Sequence, residues 1–235
     1  MRSGVGKALV AIGVFALVVG GWFGWVYYRA MTEPLPGGDG RQGRCVLWFV
    51  GSSSIAKWAT LDADMRPWIA HNRGVGGAQL SQIVRRFGNG PDLPAPEAIV
   101  FYAGENDIAA GVSVDQAFSN FRALLTLKDE RFGRTPVFFV SLKPTPARWS
   151  MRPQQADYNT RARRLAAARS DLTYVDIVPD MLVGGRPGPF FDESGIHMHA
   201  IGYSRWARRV RAALDRTLPE AAVRCGGQAG SGAGA

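Results

Sequence analysis

Five short apolar runs, at residues 46–50, 68–72, 98–103, 137–142 and 172–177, constrain this chain more than any other feature. Each is rich in β-branched and aromatic residues, and a glycine or proline follows within two residues. The first, at 46–50, reads as a strand buried on both faces, because a central parallel strand has no solvent side and shows no alternation, and the other four read as further strands. Helical patterns separate them. Residues 78–87 place Leu80, Ile83, Val84 and Phe87 on one face. Ser113 and Gln116 form a capping box that opens a helix carrying Phe118, Phe121, Leu124 and Leu125. An Arg- and Ala-rich stretch at 154–168 reads as a helix with a solvated face, and residues 202–218 read as the last helix. Strands alternating with helices specify a doubly wound α/β sandwich with a five-stranded parallel sheet.

The ends of the chain have another character. Residues 1–7 are a tail carrying Arg2 and Lys7, and residues 8–28 then run without a charge. At 1.5 Å per residue that stretch reaches about 30 Å, the thickness of a hydrocarbon core. Trp22, Trp25, Tyr27 and Tyr28 gather at its far end like an interfacial belt, and no small-x-small cleavage site follows. The expectation is a single transmembrane helix. Residues 29–44, rich in Pro and Gly, read as a flexible linker; residues 45–225 form the folded domain, and 226–235 a disordered tail. The two cysteines, Cys45 and Cys225, bracket the domain. The first strand begins at Cys45, and the last helix should return to that end of the sheet, so a disulfide between them is expected. Disulfides belong to oxidising compartments, which favours a periplasmic or other extracytoplasmic domain.

Charge and spacing exclude some classes. Net charge is +9, and Lys7, Lys57, Lys128 and Lys143 are the only lysines among 28 basic residues. No dense basic tract interleaved with aromatics accompanies this excess, which argues against nucleic acid. A basic surface near anionic lipid or envelope polymer is the simpler implication. No Cys/His/Asp cluster has metal spacing, so neither metal nor cofactor is expected. Around Arg73-Gly74-Val75-Gly76-Gly77, Gln79 occupies the place a dinucleotide loop would give to its third glycine.

In a doubly wound sheet, ligands bind beyond the carboxyl ends of the strands. Ser53, Gly77, Asn106 and His197 all fall there, after strands one, two, three and five. A serine hydroxyl becomes nucleophilic when an imidazole takes its proton. An acyl-transfer oxyanion needs donors already in place, such as glycine N–H groups and a side-chain amide. Of three histidines, His71 lies inside a strand, and His197 is better placed than His199. Trp48, Trp58, Trp68 and Trp206 read as core aromatics, and Lys143 and Arg148 as a solvated loop.

The blocks Gly51-Ser52-Ser53-Ser54, Asn72-Arg73-Gly74-Val75-Gly76-Gly77, Gly104-Glu105-Asn106-Asp107 and Gly195-Ile196-His197 stand in chain order, each after a strand. Together they resemble the SGNH (GDSL-type) esterase/lipase family over about residues 45–218. The resemblance implies a flavodoxin-like three-layer αβα fold. It also implies Ser53 as nucleophile, His197 as base, and an oxyanion hole from the Ser53 and Gly77 amides with Asn106. The substrate class it implies is an acyl ester, such as an O-acetyl group on a carbohydrate. Two positions depart from the pattern. Ser52 replaces the aspartate of the first block, and Ser194 occupies the acid position of Asp-x-x-His. Asp192 or Glu193 could serve as the acid instead, or a backbone carbonyl could hold Nδ1 in a Ser-His dyad. The alternative is a catalytically inactive envelope binding domain of the same fold.

Overall fold

The computed structural model describes residues 2–37 and 40–231. All five expected strands form: β1 (Val46–Gly51), β2 (Ile69–Gly74), β3 (Ala98–Tyr102), β4 (Val137–Val140) and β5 (Leu172–Val175). They pair in parallel in the order β2-β1-β3-β4-β5. That is the flavodoxin-like order, whose direction reverses beside β1 and opens a crevice at the carboxyl ends. Every residue of β1 and β3 is buried, as their unbroken apolar runs required.

Helices α1 (Arg2–Thr32) to α9 (Pro219–Ser231) follow in chain order. The four helices expected between and after the strands are α4 (Leu80–Gly88), α6 (Val114–Phe132), α7 (Arg152–Ala167) and α8 (Ala200–Thr217). Helices α4, α6 and α7 lie side by side against one face of the sheet; α3 (Leu61–Met65) packs with α8 against the other. Ser113 caps α6, its hydroxyl accepting the Gln116 N–H at 3.1 Å. The reciprocal half of the box is missing, and the Gln116 side chain turns along the helix, its Nε2 donating to Asn120 Oδ1 at 3.2 Å. Trp58 and Trp206 are fully buried, with Trp48 and Trp68 nearly so, and these rings belong to the core.

Short elements escaped the sequence pattern. Helices α2 (Ser53–Ala56) and α5 (Glu105–Ala109) are single turns at the ends of β1 and β3. A small hairpin, β6 (Leu182–Val183) with β7 (Arg186–Pro187), stands beyond β5. Periodicity cannot reveal elements of two to five residues.

The linker and tail depart from expectation. Leu35 is buried and its N–H donates to the Arg86 carbonyl, while Glu33 pairs with Arg86 at 2.6 Å. Gln42 accepts from the Trp48 indole at 3.1 Å. The segment before β1 is therefore docked along α4 rather than free. Its Pro and Gly residues prevent regular structure without preventing contact. Helix α9 runs to Ser231, into the stretch expected to be disordered; residues 232–235 lie outside the described residues.

Helix α1 takes in the expected span 8–28, of which the side chains of 8–13, Ala16 and Val26 lie outside the described residues. Among the described residues no helix is long and apolar enough to cross a membrane, so the expected span is not supported. Phe15, Leu17, Trp22 and Phe23 on α1 are exposed.

Cys45 and Cys225 form a disulfide that closes a 180-residue separation at the amino end of the sheet. A crosslink over so long a loop restricts the unfolded chain strongly, by about 5 kcal/mol at most in the entropic description. Replacing both cysteines by serine is expected to lower unfolding free energy by about 2–5 kcal/mol in a denaturant titration.

Candidate active site

The close approach of β1 to the end of β3 sets the geometry. A Cβ on Gly51 would stand 2.2 Å from the Tyr102 carbonyl oxygen, so only glycine fits there. The Ser52 N–H donates to that same oxygen at 3.0 Å. The chain then turns into α2 with Ser53 as its first residue. At the end of β3, Gly104 takes φ +119, a conformation that side-chain-bearing residues rarely adopt, and α5 begins with Glu105 and Asn106.

The loops after the other strands close on this turn. Asn72 donates to the Ile55 carbonyl at 2.7 Å, fastening β2 to α2. Asn106 Nδ2 donates to the Ala78 carbonyl at 3.0 Å, which joins it to the Gly77 loop. The Asp107 carboxylate accepts the Leu80 N–H with both oxygens, at 3.0 and 3.1 Å, and so caps α4. Among the described residues, the Ser53 and Gly77 N–H groups donate to no protein acceptor. They remain open to a ligand, as does the second hydrogen on Asn106 Nδ2.

His197 reaches the turn from the loop between β7 and α8. Its Nε2 lies 2.9 Å from Ser53 Oγ, across 144 residues of sequence. The Nδ1 side is unusual. Ser194 Oγ stands 3.3 Å from Nδ1, Lys57 Nζ 3.2 Å, and Asp192 Oδ2 3.9 Å. The Ser194 hydroxyl donates to Asp192 Oδ1. Asp192 is therefore near the imidazole but joined to it through Ser194. Burial lowers the His197 pKa from its ordinary 6.5, and the positive charges of Lys57 and Lys143 lower it further. The Ser194 hydrogen bond holds the Asp192 carboxyl below its usual range.

Directly beneath lies a charged cluster that the sequence did not reveal. Lys143 is fully buried, not on a solvated loop. Its Nζ donates to Ser54 Oγ at 2.9 Å, to the Tyr102 hydroxyl at 3.0 Å and to Glu105 Oε2 at 2.7 Å. Tyr102 also donates to Glu105. Arg148 lies 3.4 Å from the other Glu105 oxygen and donates to Asn106 Oδ1 at 3.0 Å. That contact fixes which way the Asn106 amide faces. Burial pushes the Glu105 pKa up, but the Lys143 charge and hydrogen bonds outweigh it and the net shift is downward. Burial pulls Lys143 down against the opposing pull of Glu105. Burial pushes the Tyr102 hydroxyl well above its usual value, so it stays a donor. No periodicity marks such a cluster; a lysine directly after an apolar run looks the same whether it is buried or exposed.

Removing one partner of a buried pair leaves an uncompensated charge. Lys143→Met is expected to cost about 3–5 kcal/mol of unfolding free energy, measured by urea titration. Breaking the exposed pair of Arg161 with Asp157 should leave the same titration nearly unchanged, because solvent screens it.

Residues 41–205 match the sequence model of the GDSL-like Lipase/Acylhydrolase family. No curated protein matches the chain in sequence. Among solved structures, a GDSL-like lipase from Bacteroides thetaiotaomicron superposes with a TM-score of 0.61 at 22% identity, covering 74% of this chain and 89% of that one. A carbohydrate esterase family 3 protein from Talaromyces cellulolyticus gives 0.59 at 15% identity, covering 74% and 98%. The OSK domain of Drosophila Oskar gives 0.55 at 17% identity, covering 72% and 86%. At these identities the likenesses concern the fold, whereas the sequence model spans most of the chain, including all four motif blocks up to His197. This chain belongs to the GDSL-like lipase/acylhydrolase family.

Proposed function

We propose that this protein is a serine ester hydrolase in which Ser53 attacks an acyl carbonyl and His197 is the general base. The observation that carries this reading is the 2.9 Å contact between Ser53 Oγ and His197 Nε2. As Oγ bonds to the carbonyl carbon, its proton passes to Nε2. The oxyanion that forms would be met by the open N–H groups of Ser53 and Gly77 and by Asn106 Nδ2. His197 then returns the proton to the leaving alcohol, and water releases the acyl group by the same steps in reverse. Asp192 supplies the negative charge on the far side of the imidazole.

The proposed substrate is an acyl ester, with an O-acetyl group on a carbohydrate as the leading case; one structural neighbour is itself a carbohydrate esterase. The proposed location is extracytoplasmic, with residues 8–28 as a single-pass anchor. The Cys45–Cys225 disulfide supports the compartment, and the uncharged 8–28 stretch supports the anchor. A second reading, a binding domain without turnover, draws on Ser194 in the place where the family carries its acid. The Ser53–His197 contact speaks against it, since a binding surface has no need to align a hydroxyl with an imidazole.

Ser53→Ala is expected to abolish hydrolysis of p-nitrophenyl acetate and labelling by a fluorophosphonate. Wild-type protein that neither turns over esters nor takes the label would leave the binding-domain reading standing. The pH dependence follows from His197. Its pKa lies below 6.5, so the neutral base persists to lower pH than in a free imidazole. The acid limb of kcat/KM should therefore fall below pH 6.5, with a plateau through neutrality; a midpoint at or above that value would contradict the assignment.

A further inference from the structure

We propose that Ser194 and Lys57 act on His197 in opposite directions: Ser194 relays the Asp192 carboxylate to Nδ1 and holds the tautomer that can accept the Ser53 proton, while Lys57 competes for the same nitrogen. This rests on the reading of Ser53 and His197 given above.

Hydrogen counting supports the relay. A serine hydroxyl has one hydrogen. In Ser194 that hydrogen goes to Asp192 Oδ1, so toward His197 the oxygen can only accept. Nδ1 must then carry the proton, which leaves Nε2 bare and 2.9 Å from Ser53 Oγ. The relay is held from several sides. The Ser194 N–H donates to Asp192 Oδ1 at 3.0 Å, and the N–H groups of Ile196 and His197 share one lone pair of Ser194 Oγ at 3.2 and 3.3 Å, which leaves the other for Nδ1–H. The Asp192 N–H donates to the His197 carbonyl at 2.9 Å, closing the loop on itself. No proton crosses the relay during turnover. Nε2 gains the Ser53 proton, Nδ1–H and Ser194 O–H keep theirs, and Asp192 remains a carboxylate that steadies the imidazolium. Ser194 is thus a positioning residue, standing where the family places the acid itself.

Lys57 demands the other tautomer. An ammonium only donates, so its 3.2 Å contact with Nδ1 requires that nitrogen to be bare. Nε2 would then carry the hydrogen and could not take another from Ser53. The Lys57 charge also opposes the imidazolium, as does Lys143 below it, whereas Asp192 and Glu105 favour it. Lys57 is exposed on a long flexible stem, while Ser194 is fixed by its loop. Under solvent the fixed partner prevails, and Lys57 acts as a brake.

The test is p-nitrophenyl acetate hydrolysis by the full chain between pH 5 and 9, with ¹⁵N resonances of the His197 ring recorded alongside. Ser194→Ala is expected to lower the kcat/KM plateau about 100-fold, less than the roughly 10⁴ seen when a directly bonded acid is lost. Asp192→Asn should fall comparably, and the double variant no further, because both changes break one chain. Lys57→Met should raise the plateau several-fold, move the acid limb upward, and shift the ring toward the Nδ1–H pattern. Ser194→Asp, which puts the carboxylate in direct contact, should keep at least wild-type activity and covers the case in which Ser194→Ala disturbs the loop. Loss of activity in Ser53→Ala, together with an unchanged plateau in Ser194→Ala, would overturn the relay alone. A lower plateau in Lys57→Met would overturn the brake. Turnover that survives Ser53→Ala would overturn the serine reading and this proposal with it.

Discussion

The packing of β1 against β3 is the constraint on which the rest of the molecule depends. Both strands are buried on both faces and pair in parallel, so their carboxyl ends emerge together at one edge of the sheet. The ends approach so closely that Gly51 has no room for a side chain against the Tyr102 carbonyl. One strand therefore delivers Ser53 and the other Asn106, each within a few residues of the last ladder bond. A short buried strand has little freedom to twist or slide, and the turns beyond it inherit that precision.

Beneath this edge, a buried ionic network does what a hydrophobic floor could not. Lys143 links Ser54, Tyr102 and Glu105, and Glu105 and Asn106 share Arg148. Replacement of such a network by apolar residues is often neutral or stabilising, so its presence is weak evidence of a role in stability. Its geometry has a clearer consequence. It ties the residue after Ser53 to the residue before Asn106, and it orients the Asn106 amide. Burial lowers the His197 pKa, and the Lys143 charge of this network adds to that, after Lys57.

Much of the architecture was legible in the chain. Five apolar-rich runs announced parallel strands, and all five form. The unbroken runs became the fully buried β1, β3 and β4, while β2 and β5, whose runs carry polar residues, are partly exposed at the sheet edges. The 3.6-residue pattern located α4 and α8 to within two residues, because each must bury one stripe, and the Ser113 cap marked the start of α6. The single-turn helices at Ser53 and Glu105 were not legible, since four or five residues complete no period. Nor was the docking of Leu35 on α4: a segment rich in Pro and Gly signals the absence of regular structure, not the absence of contacts. The side-chain partners of the site were hidden in another way. Lys143 and Arg148 read as solvated loop because hydrogen-bond partners 38 to 89 residues away leave no mark on local composition. Ser194 read as a missing acid because a motif position shows which residue stands there, not which way its hydroxyl turns within the loop.

The sequence by itself determined the layers, the parallel sheet and the candidates Ser53, Gly77, Asn106 and His197, because burial and chain direction write themselves into local residue patterns. Only the tertiary structure decided that Ser53 meets His197, that Asp192 reaches the imidazole through Ser194, that Lys57 stands on the same nitrogen, and that Lys143 is buried under the Ser53 turn. All but the contacts of Ser194 depend on distances between groups far apart along the chain, which exist only once the sheet has brought its loops to one edge. The Ser194 contacts depend on how their own loop folds back on itself.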